Sequence, residues 1–221
     1  MTLHALAQDQ GKTPDSRQPP AKGDAKVSAV EYKAPPKGAP RGRIGGGTRG
    51  LSRELSMAVI APDHTGWSAT AEPDFYWYVS QPVGVGPEFT ILEDGGIDPI
   101  VEVSLPAPTA AGLQRVSLKN LGKRLEPSKE YRWFVTLVAD KMARSKDIVA
   151  SGRIAFVPIV PEVATRWMAL SGVAKAAAMA GDGYWYDAIA ALEASGASKE
   201  NAALYEGAGL HEVARYLRSR P

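Results

Sequence analysis

LEPSKEYRWFVTLVAD, Leu125 to Asp140, is the stretch on which the fold of this chain turns. A turn segment, Glu126-Pro127-Ser128-Lys129, leads into a run dense in aromatic and β-branched residues, and the run alternates. Tyr131, Trp133, Val135 and Leu137 fall on one face of a strand, with Arg132, Phe134, Thr136 and Val138 on the other. The first set reads as a core face. The second carries Phe134 and Val138, which are too apolar for a plain solvent face, so another layer is expected over it. The C-terminal part of the chain is the candidate cover.

Working outward, short strand signals separated by turn residues recur at the spacing of a β-sandwich. They are Leu55 to Ala61, Phe75 to Ser80, Glu88 to Glu93, Pro99 to Leu105, Leu113 to Leu118, the central run, and Ile148 to Val157. Trp77, with Phe75 and Val79 in period two, is expected in the core against Trp133. A Leu, a Pro-containing turn and then a Tyr at the start of a long inner strand form the pattern of a tyrosine corner, in which the phenol bonds back to the preceding backbone. The expected class is α+β: an immunoglobulin-like or fibronectin-like sandwich of about seven strands, followed by a helical subdomain of three to four helices. Pro158 and Pro161 end the sandwich, and Glu162 to Ala180 reads as one helix with Val163, Trp167, Leu170 and Ala174 on a face. Gly181-Asp182-Gly183 breaks it. Tyr184 to Ala194 is the next helix, Ser198 is expected to cap a third, and Leu210, Val213, Ala214 and Leu217 mark a last one. The turn into YWYDAIAAL resembles a tetratricopeptide-like hairpin, but without a repeating period a plain stacked hairpin is the simpler reading.

At 221 residues the chain suits one or two domains and can bury a real core. A hydrophobic fraction of 44% is ordinary for a globular protein, and no run reaches the roughly 18 apolar residues of a membrane span. With no cysteine there is no disulfide framework, thiol nucleophile or thiolate metal site. Residues 1–53 hold ten Lys and Arg against four Asp and Glu, which leaves 16 against 20 for the remainder: a basic arm on a mildly acidic body. Residues 1–36 are expected to be a disordered Pro/Lys/Gly-rich arm, 37–157 the sandwich with its Gly/Arg-rich lead-in, and 158–221 the helical subdomain packed on it. Ala5-Leu6-Ala7 before Gln8 has the small-x-small form cut by signal peptidase, the remnant of a signal peptide, so a periplasmic or secreted location is expected.

GAPRGRIGGGTRG, PDFYWYV, LEPSKEYRWFVTLVADKMARSKDIVASGRI and GDGYWYDAIAAL together resemble a bacterial, chiefly cyanobacterial, domain of unknown function family, number 928, over roughly residues 37–217. The resemblance implies that the domain is a unit and that its members are often exported. It implies no activity, cofactor or catalytic residue.

Candidate contacts were sought at three places. In KGAPRGRIGGGTRG, Arg43 and Arg49 flank three glycines that suit either an anion-cradling loop or a flexible lead-in. No Gly-Lys-Ser/Thr follows and no aromatic residue is interleaved, so neither a nucleotide nor a nucleic acid is expected. Asp140, Arg144, Ser145 and Asp147 form a polar cluster after the central strand, either a ligand-contacting loop or a turn held by an Asp–Arg pair. Tyr184 and Tyr186, around Trp185, suit a sugar platform or a lock between subdomains. Glu93, Asp94 and Asp98 in EDGGID offer oxygen ligands for calcium, but an acidic glycine turn explains the same letters. His4, His64 and His211 lie far apart, and no G-x-S-x-G elbow or zincin pattern is present. The expectation is a non-enzymatic binding or scaffolding module of the cell envelope, without catalytic residue, metal or cofactor, whose partner is a protein or envelope polymer. The alternatives are polyanion or cell-wall contact through the basic arm, and an enzyme with a non-obvious site.

Overall fold

The structure is a computed structural model and describes residues 1, 30–36, 43–44, 55–138, 140, 142 and 144–219. The architecture is α+β, with two sheets of eight strands in all and five helices among the described residues. Three strands form one sheet in the order β1 (Met57–Val59), β3 (Asp74–Val79), β6 (Gly112–Ser117). Five form the other, in the order β2 (Gly66–Ser68), β8 (Ile148–Phe156), β7 (Glu130–Leu137), β4 (Glu88–Glu93), β5 (Pro99–Ser104). All pairings are antiparallel except that of β2 with β8. The extra strand relative to the expected seven is β2, whose three residues are too short to show a period.

β7 is the central strand as its alternation predicts: Tyr131, Trp133, Val135 and Leu137 are buried and the residues between them are not. Trp133 meets Phe75 of the opposite sheet at 5.0 Å between ring centroids and Phe89 of its own sheet at 6.2 Å. The turn before β7 passes through Ser128 at φ 65°, and the Tyr131 hydroxyl accepts the Glu126 amide at 3.0 Å. Gly152 stands opposite Trp133 in register, and a Cβ there would lie 2.9 Å from the indole nitrogen, so only glycine leaves room for the ring.

The covering layer does not lie where β7 suggested. Phe134 is only half-buried, beneath the Arg132 guanidinium at 5.9 Å from its ring centre, and Val138 is half-buried as well. The helices instead cover β3, whose Tyr76 and Tyr78 are buried on the face opposite Phe75 and Trp77. Tyr78 meets Tyr216 at 5.2 Å, and the Tyr216 hydroxyl donates to the Ala111 carbonyl. FYWYV is aromatic at both parities because both its faces are buried, which one long apolar run with no polar alternation signals.

The helices are α1 (Pro161–Met168), α2 (Gly172–Gly181), α3 (Trp185–Ser195), α4 (Ser198–Gly207) and α5 (His211–Ser219). The single helix expected over 162–180 is two, because the chain turns at Leu170-Ser171 and enters α2 through Gly172 at φ 51°. Ser198 is the first residue of α4 and not its cap; Ala197 holds that position. Residues 30–36, expected within the arm, are packed on the body. Val30 is buried, the Lys33 amide donates to the Ala180 carbonyl, and Tyr32 meets the Trp185 ring edge-on at 4.9 Å.

Candidate functional site

α3 is shaped by YWYDAIAAL, which puts large rings at its start and small residues along the rest. Between β1 and β2 the chain crosses from one sheet to the other, and α3 enters the core beside that crossing. The Trp185 indole donates to the Ile60 carbonyl at 3.0 Å. The Tyr186 hydroxyl accepts from Trp133 Nε1 at 2.8 Å and donates to the Arg153 carbonyl at 2.9 Å, with its ring edge-on to Phe75. Gly66 makes the entry possible, since a Cβ there would stand 2.9 Å from the Tyr186 ring. Desolvation pushes the Tyr186 phenol far above its ordinary value, so it stays a neutral donor. Tyr184 sits in an aromatic chain, 5.7 Å from Trp67 and 5.1 Å from Trp167. Both tyrosines are buried and serve as the lock; neither is an open platform for a sugar.

Of the other expected contacts, Arg43, Asp140, Arg144 and Asp147 bond within the fold and Ser145 is exposed. Arg43 donates to the carbonyls of Ala61, Ala208 and Gly209 at 2.8, 3.1 and 3.2 Å, tying the crossing to the end of α4. Arg49 lies outside the described residues. Arg144 pairs through both guanidinium arms with Glu88 and through Nε with Asp147 at 2.8 Å, the turn-forming alternative for that loop. Asp140 accepts the Met142 amide, and Ser145 is exposed in a 3-10 turn spanning Arg144–Lys146. In the acidic turn Glu93 pairs with Lys129, and Asp94 with Arg132 and Arg153. Among the described residues no group of three His, Asp or Glu side chains is placed to hold a metal.

Two places remain where polar groups face open space, and neither was singled out from the sequence. The first is where Tyr32 crosses the 61–64 turn. Its hydroxyl lies 2.9 Å from His64 Nε2, and His64 Nδ1 lies 2.9 Å from Asp63. These three residues line a cavity of about 220 Å³ with Ala34, Pro62, Gly207 and Ala208. Burial and the nearby Asp63 charge push the Tyr32 phenol far up, so it stays neutral and is not a base.

The second lies between α2 and α3. α3 presents Ala190, Ala191 and Ala194 toward Gly172, Lys175 and Met179 of α2, and such short side chains leave an open cavity of about 510 Å³. Leu170, Met179, Ala190, Ala191 and Ala194 supply its apolar wall, with Ser171, Lys175, Asp187 and Ser195 as polar groups. Asp187 is the third residue of α3. Its Oδ2 accepts the Ala69 amide at 2.8 Å, and Ser68 also bonds to the carboxyl. Those bonds favour the ionised form, but desolvation outweighs them and pushes the carboxyl up to about 6. No Lys, Arg or His pairs with Asp187 among the described residues, and Lys175, on the opposite wall, pairs with no carboxylate among them. A half-buried carboxylate with a raised proton affinity, with no counter-ion among the described residues, beside an open groove with an apolar wall is an arrangement found at functional sites. In the sequence Asp187 looked like an ordinary acidic residue of a first helical turn, and Lys175 like a solvated break in an alanine run.

Residues 44–214 match the profile of a family described as Domain of Unknown Function (DUF928), a little inside the span expected from the motifs. No curated protein and no solved structure matches the chain.

Proposed function

We propose, for a chain that belongs to the DUF928 family, a non-enzymatic binding or scaffolding module that works outside the cytoplasm and takes its ligand in the cavity between α2 and α3. The observation that carries this reading is Asp187. An ionised carboxylate partly withdrawn from water, with no counter-ion among the described residues, is costly, and a ligand cation entering the cavity reduces that cost. The cavity volume of about 510 Å³ lies in the range of small-molecule sites, and its mix of apolar wall and few polar groups is the usual one. The loop after β7 and the aromatic pair at α3 are spent on internal contacts, which leaves them little to offer a partner. The Ala5-Leu6-Ala7 stretch and the family resemblance support export to the periplasm or beyond. The strand order, with β1-β3-β6 facing β2-β8-β7-β4-β5, and the Tyr131 corner bond support an immunoglobulin-like or fibronectin-like frame for the module.

The test is a titration of the isotope-labelled full chain at pH 7 with n-butylamine, a cation at that pH, against n-butanol as its neutral counterpart. Saturable amide shifts along Ala190 to Ser195 with the amine, weaker with the alcohol and lost in Asp187→Asn, support the site. Shifts that are equal for the two probes, or unchanged by the substitution, remove it.

A further inference from the structure

Resting on that reading, we infer that the ligand of the α2–α3 cavity is a zwitterion, an amino acid or short peptide whose ammonium group meets Asp187 and whose carboxylate meets Lys175. One cavity holds a carboxylate on α3 and an ammonium on α2, and the two are not paired with each other or with any other described residue. The groove is open to solvent on one side, and opposite charges attract when they come within a few ångströms even there, so a fold free to pair them gains by doing so. Here each is held by its own helix. Asp187 is fixed by the Ala69 amide, and Lys175 leaves the first turn of α2, where Ser171 makes no side-chain cap. The first-turn amides of α2 add positive potential on the Lys175 side, in the same sense as the lysine charge.

A simple amine satisfies only one of these two groups, and a simple carboxylate only the other. A ligand with both charges satisfies both and restores neutrality to the cavity. Around them, Met179, Leu170 and the alanine wall suit small aliphatic side chains more than charged or aromatic ones. No chemical step is required of the protein: recognition is two charge-assisted contacts plus apolar burial.

The experiment uses three probes on the full chain by the same amide-shift titration: alanylalanine, its N-acetyl form without the ammonium, and its C-terminal amide without the carboxylate. The free dipeptide is expected to bind about tenfold more tightly than either blocked form, a modest value for one charge-assisted contact. Lys175→Gln should erase the preference over the amide and keep that over the N-acetyl form; Asp187→Asn should do the reverse. Each substitution keeps a hydrogen-bonding side chain of similar size, so folding is not at stake, and the one-dimensional amide spectrum verifies it. If the dipeptide binds no better than its amide while n-butylamine still binds through Asp187, the zwitterion inference is overturned and the cavity reading stands. If no probe shifts the cavity amides, both fall together.

Discussion

One helix, α3, builds two regions that treat polar groups in opposite ways. At its first turn Trp185 and Tyr186 enter the core, and every polar atom they bring finds a partner: Ile60 for the indole, Trp133 and Arg153 for the phenol. On its other side Asp187 lines the α2–α3 cavity with hydrogen bonds but no counter-ion among the described residues. The first region turns large rings into stability, since aromatic burial contributes a few kcal/mol per side chain when the attached donors are satisfied. The second gives up stability. The difference teaches where to look for function in this molecule: at the half-satisfied charge, and away from the aromatic cluster that draws the eye in the sequence.

The contrast is broken most directly at Trp185. It is fully buried and touches both the 60–65 crossing and the residues 30–36 segment through Tyr32. Trp185→Ala should cost about 3 to 5 kcal/mol, the range for deleting a buried aromatic ring. Because the two sheets and the helices share one core cluster, urea unfolding should remain a single transition by far-ultraviolet circular dichroism and by tryptophan fluorescence. Two separated transitions in the variant would show that the lock, and not the rest of the shared core, couples the halves. Expression of residues 37–157 alone asks the same question without a substitution. Tyr76 and Tyr78 would lose their cover, and the fragment is expected not to fold cooperatively.

Tyr186→Phe sharpens the comparison by removing one oxygen and no ring. It strands the Trp133 indole N–H, fully buried, and one bond of the Arg153 carbonyl. About 2 to 3 kcal/mol is expected, the upper part of the range for an unpaired buried donor.

Asp187 should respond with the opposite sign. Its carboxyl is raised to about 6 in the folded chain against 3.8 as the model-compound value for the unfolded one, so the folded protein holds its proton more tightly. The missing proton is therefore a cost above about pH 6, and that cost fades as pH falls toward 4, so this group makes the protein more stable on mild acidification. Asp187→Asn keeps an oxygen for the Ala69 amide and carries no charge. It should raise stability at pH 7.5 by about 1 to 2 kcal/mol, less than the full shift implies because the side chain is only partly withdrawn from water. Urea midpoints measured from pH 7.5 to 4.5 should show a smaller acid gain in the variant than in the parent; equal slopes would mean that Asp187 is solvated and the cavity holds no special charge.

How much of this was legible depended on whether a residue's role followed from its neighbours in sequence. The β7 alternation, the corner tyrosine and six of the other strands could be read because period and turn chemistry are local. The side of the sandwich that the helices cover could not be read from Phe134, since one half-exposed aromatic is satisfied by an arginine laid over it. The doubly aromatic FYWYV held the better clue. Packing of residues 30–36 was hidden by a composition rich in Pro and Lys, in which Val30, Tyr32, Pro35 and the Lys33 amide do the anchoring. Asp187 and Lys175 were invisible for another reason: what distinguishes them is the lack of a partner across two helices, and no spacing in a sequence encodes that.

The smallest effect is expected at Tyr131, and it tests whether the sandwich has a fixed point independent of α3. Tyr131 and Tyr186 are both buried, and both hydroxyls are hydrogen-bonded, yet their situations differ. Tyr186 stands between two groups in the core, whereas Tyr131 accepts one amide, that of Glu126, in a turn whose outer residues are exposed. Once the oxygen is gone, water reaches the freed Glu126 N–H more easily than it reaches the Trp133 indole, so Tyr131→Phe should cost about 1 kcal/mol, the low end for a lost partner. The corner turn adjoins the 68–71 segment that holds Asp187, since Pro127 bridges Phe156, the register partner of Ser68, and the Leu125 amide donates to the Ala71 carbonyl, so Tyr131→Phe and Asp187→Asn are expected to couple in the double variant. Tyr131→Phe and Tyr186→Phe both act on the inner face of β7, through Tyr131 itself and through Trp133, and there too a coupling is expected. Denaturant midpoints of the three single and two paired variants would settle it: a Tyr131→Phe cost equal to that of Tyr186→Phe would mean that the corner is as dry as the lock, and that the contrast between a buried core and a hydrated rim does not hold between these two sheets.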